Sequence, residues 1–457
     1  MLSSSPRTKA MAATGESGGF DALGFDALEV VPTEPVSGTV EAPSSKSVTN
    51  RLLVIAGLAA GTTKLSRVLV SDDTAVMWAG LAALGARIRE VSPDGTRLEI
   101  EGTDGVITPG DGVISAGLSG TTLRFLASVA LLARGTVTLD GKPPLRRRPI
   151  FPLLGTLAAL GASIESDHGH PPIRISSPGI RGGRVEVDAA LSSQFATGLL
   201  LVAPYADANV QLSVRNLGAS GYIDLTVEAM RRFGAVVDPI DGLYVVEAGR
   251  HYQARAETVE YDASAAAHLF ALAMATGGTV TVANATDTRQ PDAGILAVFE
   301  QMGGTVGRAA TGAITVSRPG DLRGTRVDMS TMPDQLPTLA VLGALASGTT
   351  TLDNVSVARG HETDRVAAIA HELSKLGGQV AVEGNRLSVE GGHALSGCPV
   401  DTYHDHRMAM ALTSLAAVVG GMTILDPGCV AKTYPGFWAD AERLGLRLRP
   451  ASPPREH

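Results

Sequence analysis

Seven cations stand where polar stretches give way to apolar ones: Lys46, Arg51, Arg124, Arg148, Arg365, Arg407 and Lys432. The first two lie in Pro43-Ser44-Ser45-Lys46-Ser47-Val48-Thr49-Asn50-Arg51, just before Leu52-Leu53-Val54-Ile55-Ala56. Ser44 or Ser45 can cap a helix there, which puts Asn50-Arg51 one turn inside it. A helix start offers free backbone N–H groups and a partial positive charge. An ammonium and a guanidinium beside it make a place for a phosphate or carboxylate. Arg124 follows Gly120-Thr121-Thr122-Leu123, and Arg148 closes Leu145-Arg146-Arg147-Arg148. Arg365 closes His361-Glu362-Thr363-Asp364, Arg407 closes His404-Asp405-His406, and Lys432 lies in Asp426-Pro427-Gly428-Cys429-Val430-Ala431-Lys432-Thr433. Any one of these alone reads as a solvated charge. Their shared place in a recurring pattern points to anion binding.

Proton transfer among such cations needs carboxylates or a lysine. Asp334, in Met332-Pro333-Asp334, reads equally as a helix cap. Glu362 reads as a proton donor or as half of a surface ion pair with Arg365. Asp73 and Asp262 read as caps or structural carboxylates. Asp405-His406 has no second cluster at metal-ligand spacing, so no metal is expected, and His406 reads as a helix-start histidine. There is no P-loop, no dinucleotide fingerprint and no nucleophile elbow.

The elements that must position these residues repeat. Leu84-Gly85, Leu160-Gly161, Phe233-Gly234, Met302-Gly303, Leu376-Gly377 and Leu444-Gly445 recur roughly 70 residues apart, each followed by a strand-like run. Between them come Gly61-Thr62-Thr63-Lys64-Leu65, Gly135-Thr136-Val137-Thr138-Leu139, Gly278-Thr279-Val280-Thr281-Val282 and Gly348-Thr349-Thr350-Thr351-Leu352, with weaker forms at Asn209 and Met422. Each of these strands follows an almost wholly apolar helix, such as Leu123–Ala133, Phe195–Pro204 or Leu336–Ala346. Helices apolar all round are buried on all sides. The glycine after each Leu, Phe or Met fits a left-handed helix terminus. Six such units imply two lobes of three. Polar clusters precede all six buried helices. If those helices run parallel, their positive ends share a face in each lobe, and two opposed faces would form an anion-binding cleft between lobes.

Composition agrees. The chain has 457 residues, 44% hydrophobic and 18% charged, with a net charge of −8, so it is globular and suits neither general nucleic-acid nor membrane-surface binding. Two cysteines give no disulfide framework and fit a reducing compartment. No apolar run is long enough to span a membrane. Residues 1–28, rich in Ser, Gly and Ala, with Phe-Asp-Ala-Leu occurring twice, read as a flexible extension; Glu16, Asp21 and Asp26 argue against a transit peptide.

The motifs resemble those of the 5-enolpyruvylshikimate-3-phosphate (EPSP) synthase family. Pro43–Arg51 looks like its first signature and Leu118-Ser119-Gly120-Thr121-Thr122-Leu123-Arg124 like its second. Arg148-Pro149-Ile150, Ser192-Ser193-Gln194, Glu362-Thr363-Asp364-Arg365, Asp405-His406-Arg407 and Lys432-Thr433 match in order, over about Val30 to Leu448. The resemblance implies an α/β fold: a two-lobed inside-out α/β barrel of six βαβαββ repeats, three per lobe around parallel buried helices. One lobe would comprise 29–43 and 260–457, the other 44–259, with crossings near Ala42–Ser44 and Val259–Asp262. It implies transfer of the enolpyruvyl group of phosphoenolpyruvate to shikimate 3-phosphate through a tetrahedral ketal phosphate, releasing phosphate, on the route to chorismate and the aromatic amino acids. No cofactor is implied, and a cytoplasmic monomer is expected.

By the same resemblance, Lys46, Ser47, Arg51, Ser192, Ser193, Gln194, Ser220, Tyr222, Asp334 and His361 would hold shikimate 3-phosphate. Lys46, Gly120, Arg124, Arg148, Gln194, Arg365, Arg407 and Lys432 would hold phosphoenolpyruvate. Asp334 would take the hydroxyl proton, Glu362 would protonate the methylene carbon, and Lys46 would assist either. His361 stands where many relatives carry lysine, Leu118-Ser119 replaces a frequent Asn-Ala, and Val357 replaces a polar residue of some members. The inhibitor glyphosate packs against the glycine matching Gly120, and Ser119 leaves sensitivity open. A sister transferase acting on UDP-N-acetylglucosamine uses a cysteine in a first-lobe loop, and here no cysteine precedes Cys398. A non-catalytic anion-binding repeat protein would keep the cations but not need Asp334 and Glu362.

Overall fold

A computed structural model describes residues 24–218 and 220–452. The described residues form two compact units: Ser44–Val259, and 24–43 joined to 260–452. Each has its own apolar core. Among the described residues there are six four-stranded sheets, three in each unit, built on one plan. The sheet around Val113–Ser115 shows it. That strand leads into a buried helix, Gly120–Val129, and the chain returns as Thr136–Asp140, parallel to it. An outer helix, Phe151–Ala159, follows, then a hairpin of Ser163–Asp167 and His170–Ser176, whose second strand pairs antiparallel with Thr136–Asp140. Alternation makes the strand: Val137 and Leu139 are buried while Thr136 is exposed. The glycine that ends each outer helix has positive φ in all six copies, from 91° at Gly377 to 114° at Gly161, a conformation glycine adopts without steric cost.

Three sheets borrow a strand across the chain. Ser37–Val40 pairs in parallel with Thr279–Val282, and Ala256–Thr258 pairs in parallel with Thr62–Ser66. Ala27–Val31 lies antiparallel between Met422–Leu425 and Arg447–Ala451. This corrects the extent of the N-terminal extension expected through residue 28. Ala27 and Leu28 are fully buried, because the second Phe-Asp-Ala-Leu copy runs into an alternating strand whose Leu28 and Val30 face the core. Residues 1–23, the first copy among them, lie outside the described residues.

Six helices form the centres of the units. In one unit these are α1 (Lys46–Leu58), α2 (Gly120–Val129) and α3 (Gln194–Val202); in the other, α4 (Ala263–Thr276), α5 (Leu336–Leu345) and α6 (His406–Ala416). Every residue of α2 and α6 is buried. Side chains tie like ends together. Gln194 at the start of α3 bonds Thr121 and Arg124 of α2, while beyond the far end of α3 Tyr205 Oη donates to Leu58 O at the end of α1 at 2.5 Å. In the other unit Thr338 of α5 meets His268 of α4, and Asp334 just before α5 meets Arg407 of α6. Within each unit the three helices therefore run parallel, with their electropositive starts at one end. Gly198 allows the close approach of α3 to α2: a Cβ there would lie 2.6 Å from Ser128 Oγ and 3.1 Å from Arg124 O. Among the described residues, no helix is long and apolar enough to cross a membrane.

Candidate active site

Four of the six starts are capped by side chains. Ser45, Ser119, Asp262 and Asp405 accept from Val48 N, Thr122 N, Ala265 N and Arg407 N. Asp334 is not a cap. Gln335 occupies the cap position of α5 without a side-chain cap bond, and the Asp334 carboxylate turns to the cations instead. Ser193 occupies the cap position of α3, again without a cap bond.

In the Ser44–Val259 unit the predicted residues form three neighbouring groups. Lys46 Nζ lies 3.3 Å from Asp73 Oδ2, so Asp73 is the lysine's counter-charge, while Ser71 caps its helix. Arg51 is buried. Its Nε donates to Thr226 Oγ1 at 2.8 Å, Nη1 to Ser47 O at 2.8 Å and Nη2 to Tyr222 O at 3.0 Å, with Phe125 and Tyr222 rings 5.8 Å away. Burial brings its pKa down to about 10, with Tyr222 opposing that shift. Arg51 thus spends several donors inside the protein, fastening α1 to the helix Gly221–Arg232. Ser220, just before that helix, is exposed and donates to Asp224 Oδ2 at 2.7 Å.

The third group surrounds the start of α2. Arg124 Nη1 donates to Gln194 Oε1 at 2.6 Å and Ser192 Oγ at 3.2 Å, and its guanidinium lies over Phe195. Gly120 sits between two guanidiniums: a Cβ there would be 3.0 Å from Arg148 Nη1 and 3.4 Å from Arg124 Nη1. The glycine lets both forks reach one place, as bidentate recognition of an anion demands.

The other unit centres on Arg365, whose side chain is 1% exposed. Its Nε donates to Asp405 Oδ2 at 2.7 Å, Nη1 to Asp334 Oδ1 at 2.6 Å, and Nη2 to Glu362 Oε2 at 2.9 Å and Asp405 Oδ1 at 3.2 Å. Arg407 Nη2 donates to Asp334 Oδ2 at 2.8 Å, and Lys432 Nζ to Glu362 Oε1 at 2.6 Å. His361 Nδ1 lies 3.2 Å from Asp334 Oδ1 and 2.8 Å from Arg365 Nη1. Glu362 is therefore no ordinary surface pair but bridges two cations. His406 is buried at the first position of α6. The sequence reading missed Asp405 as the buried counter-ion of Arg365; its only sequence signal was its place as a cap. Nothing local marked Thr226 or Tyr222 O as partners of Arg51.

Burial works against ionisation of Asp334, but Arg407, the His361 hydrogen bond and Arg365 outweigh it and hold the carboxyl well below the usual carboxylate range. A depressed native pKa adds stability above the unfolded value, about 3.9, which is lost as pH falls through the native value. The stability difference between the wild type and Asp334→Asn should therefore stay level from neutral pH down to about 4 and shrink only below that. Urea titrations from neutral to strongly acid pH measure it; a difference that shrinks between pH 7 and 5 would contradict this account.

The clusters combine fixed cations at helix starts with two carboxylates among them. Such an arrangement can bind multiply charged anions and move protons beside them. The family model for EPSP synthase (3-phosphoshikimate 1-carboxyvinyltransferase) matches residues 30–440. A protein of Methanoculleus marisnigri named 3-phosphoshikimate 1-carboxyvinyltransferase is 41% identical over 425 residues, 92% of this chain and 99% of that one. One of the same name from Nostoc punctiforme is 38% identical over 420 residues, 91% and 98% of the two chains. The solved structure of EPSP synthase from Acinetobacter baumannii shares the fold, with a TM-score of 0.79 at 24% identity over 93% of this chain and 99% of that chain.

Proposed function

The chain belongs to the EPSP synthase family, and from that premise we propose how its two clusters divide the work. The reaction is transfer of the enolpyruvyl group from phosphoenolpyruvate to the 5-hydroxyl of shikimate 3-phosphate. The hydroxyl oxygen adds to C2 of phosphoenolpyruvate, its proton leaves, and C3 gains a proton, giving a tetrahedral ketal phosphate. Loss of phosphate from C2 and of a proton from C3 restores the double bond.

The observation that carries the division of roles is the interleaving of Asp334 and Glu362 with Arg365, Arg407 and Lys432. Phosphoenolpyruvate brings a carboxylate and a phosphate. Arg124 and Arg148, around Gly120, suit one anionic group; Arg365, Arg407 and Lys432 suit another. Ser47, Arg51, Ser192, Ser193, Gln194, Ser220, Tyr222 and His361 hold shikimate 3-phosphate, and Lys46 serves both substrates. Asp334 is the base. In the free protein its carboxylate is neutralised by two arginines, which makes it a weak one. A substrate anion that draws those arginines away raises its basicity as the hydroxyl arrives. Glu362 delivers the proton to C3. Fixed guanidiniums stabilise the charge of the intermediate without reorganisation. The reading extends to a monomer, since one chain supplies both clusters, and to the cytoplasm, which the free thiols of Cys398 and Cys429 fit.

The test is release of phosphate from phosphoenolpyruvate by the full chain. Release should depend on shikimate 3-phosphate and should not occur with UDP-N-acetylglucosamine. Absence of release with shikimate 3-phosphate, at saturating phosphoenolpyruvate, would overturn the reading.

A further inference from the structure

The turn that delivers Asp405 and Arg407 is strained and doubly fastened. Tyr403 and His404 both have φ of 54°, a left-handed conformation sparsely populated by residues other than glycine and rarely held by two in succession. Asp405, which follows, caps α6 and grips Arg365. Such a conformation persists only where the surroundings impose it. Here they do. The helix Arg365–Lys375 carries Arg365 at its first position and Glu372 seven residues on, so both side chains leave the same face two turns apart. Arg365 grips Asp405. Glu372 is fully buried, and its Oε1 accepts from Tyr403 Oη at 2.8 Å. Its Oε2 accepts from Lys375 Nζ at 2.7 Å and from Asp401 N at 3.3 Å. Tyr403 N also donates to Asp401 Oδ1 at 2.6 Å, and His404 Nδ1 lies 2.6 Å from Asp426 Oδ2, at the head of the segment Pro427–Lys432.

We propose that Tyr403 and Glu372 are positioning residues for phosphoenolpyruvate binding. The Tyr403–Glu372 hydrogen bond, from a half-buried phenol to a buried carboxylate, holds the Tyr403-His404 turn in its left-handed form and so fixes where Asp405 and Arg407 stand. This rests on the assignment of Arg407 to phosphoenolpyruvate above. Without the phenol hydroxyl the turn relaxes toward ordinary backbone angles, and Arg407 loses its register against Asp334. Neither side chain touches substrate in this scheme. Each acts through the turn.

Steady-state kinetics of Tyr403→Phe, Glu372→Leu and the double variant test this. Each single variant should raise KM for phosphoenolpyruvate about tenfold, as small misplacements of binding groups do, while KM for shikimate 3-phosphate changes less than about twofold. The double variant should be no worse than the worse single one, because both remove one interaction. Glu372→Gln, which keeps an acceptor for the phenol, should recover most of the loss. A folded Tyr403→Phe with unchanged KM for phosphoenolpyruvate would overturn the proposal. So would a parallel rise in both KM values, or additive losses in the double variant. Should Glu372→Leu not fold, Tyr403→Phe and Glu372→Gln carry the test. Amide exchange of the peptide spanning 401–409, measured without substrates, separates this proposal from the reaction assignment. Faster exchange in Tyr403→Phe supports it even if the wild type releases no phosphate, and unchanged exchange refutes it even if the wild type is active.

Discussion

Arg365→Met is expected to destabilise the unit containing it by about 3–5 kcal/mol, the usual loss when one partner of a buried ion pair is removed. The guanidinium meets three carboxylates, and one of them, Asp405, is fully buried. Burial opposes the arginine's charge, but Asp405, Glu362 and Asp334 more than compensate and push its pKa up. Removing it leaves the buried Asp405 carboxylate with the backbone N–H of Arg407 and, 3.7 Å away, the His406 ring. Arg365→Lys should recover only part of the loss, since an ammonium cannot make the two-pronged contact with Asp405. Trp438, buried in the same unit, reports its unfolding in a Trp78→Phe background. A loss below about 1 kcal/mol in urea titrations would show that Arg365 is a rim charge rather than a hub.

Glu362→Gln is expected to lower kcat by about 10²–10⁴-fold, the typical worth of a positioned acid or base. Glutamine keeps the shape and an acceptor for Lys432 or Arg365 but cannot deliver a proton to carbon. The fold should persist, because the side chain lies at the partly exposed edge of the cluster, at 18% exposure. Phosphate release, read beside circular dichroism of the same sample, measures both. A folded variant with kcat within threefold of wild type would remove Glu362 from the proton path.

What the sequence made legible was local and periodic. Helices without a polar face, such as Leu336–Leu345, are buried, and each glycine after Leu, Phe or Met terminates a helix in the left-handed region. Six similar units became six similar sheets. What stayed hidden depended on partners far apart in the chain. Asp334 looked like a cap because a carboxylate before an apolar helix normally is one; the arginines that redirect it lie 31 and 73 residues away. Ala27 and Leu28 looked like the end of a flexible leader because their pairing partners lie near residues 422–451. The Tyr403–Glu372 bond was illegible for a further reason: a left-handed backbone at Tyr403 and His404 is a product of tertiary constraint, and neither residue type advertises it.

The placement of Ala27–Val31 between Met422–Leu425 and Arg447–Ala451 also sets an order of events during synthesis. The Ser44–Val259 unit has all its strands once Ala256–Thr258 has left the ribosome, and it can close while the rest is still being made. The strand at 27–31 is made before that unit yet finds its neighbours only after Met422–Leu425 and Arg447–Ala451 have been made. Until then its alternating apolar edge is an unpaired ribbon on a nascent chain, the kind of segment that holdase chaperones shield and that misassembles when translation stalls.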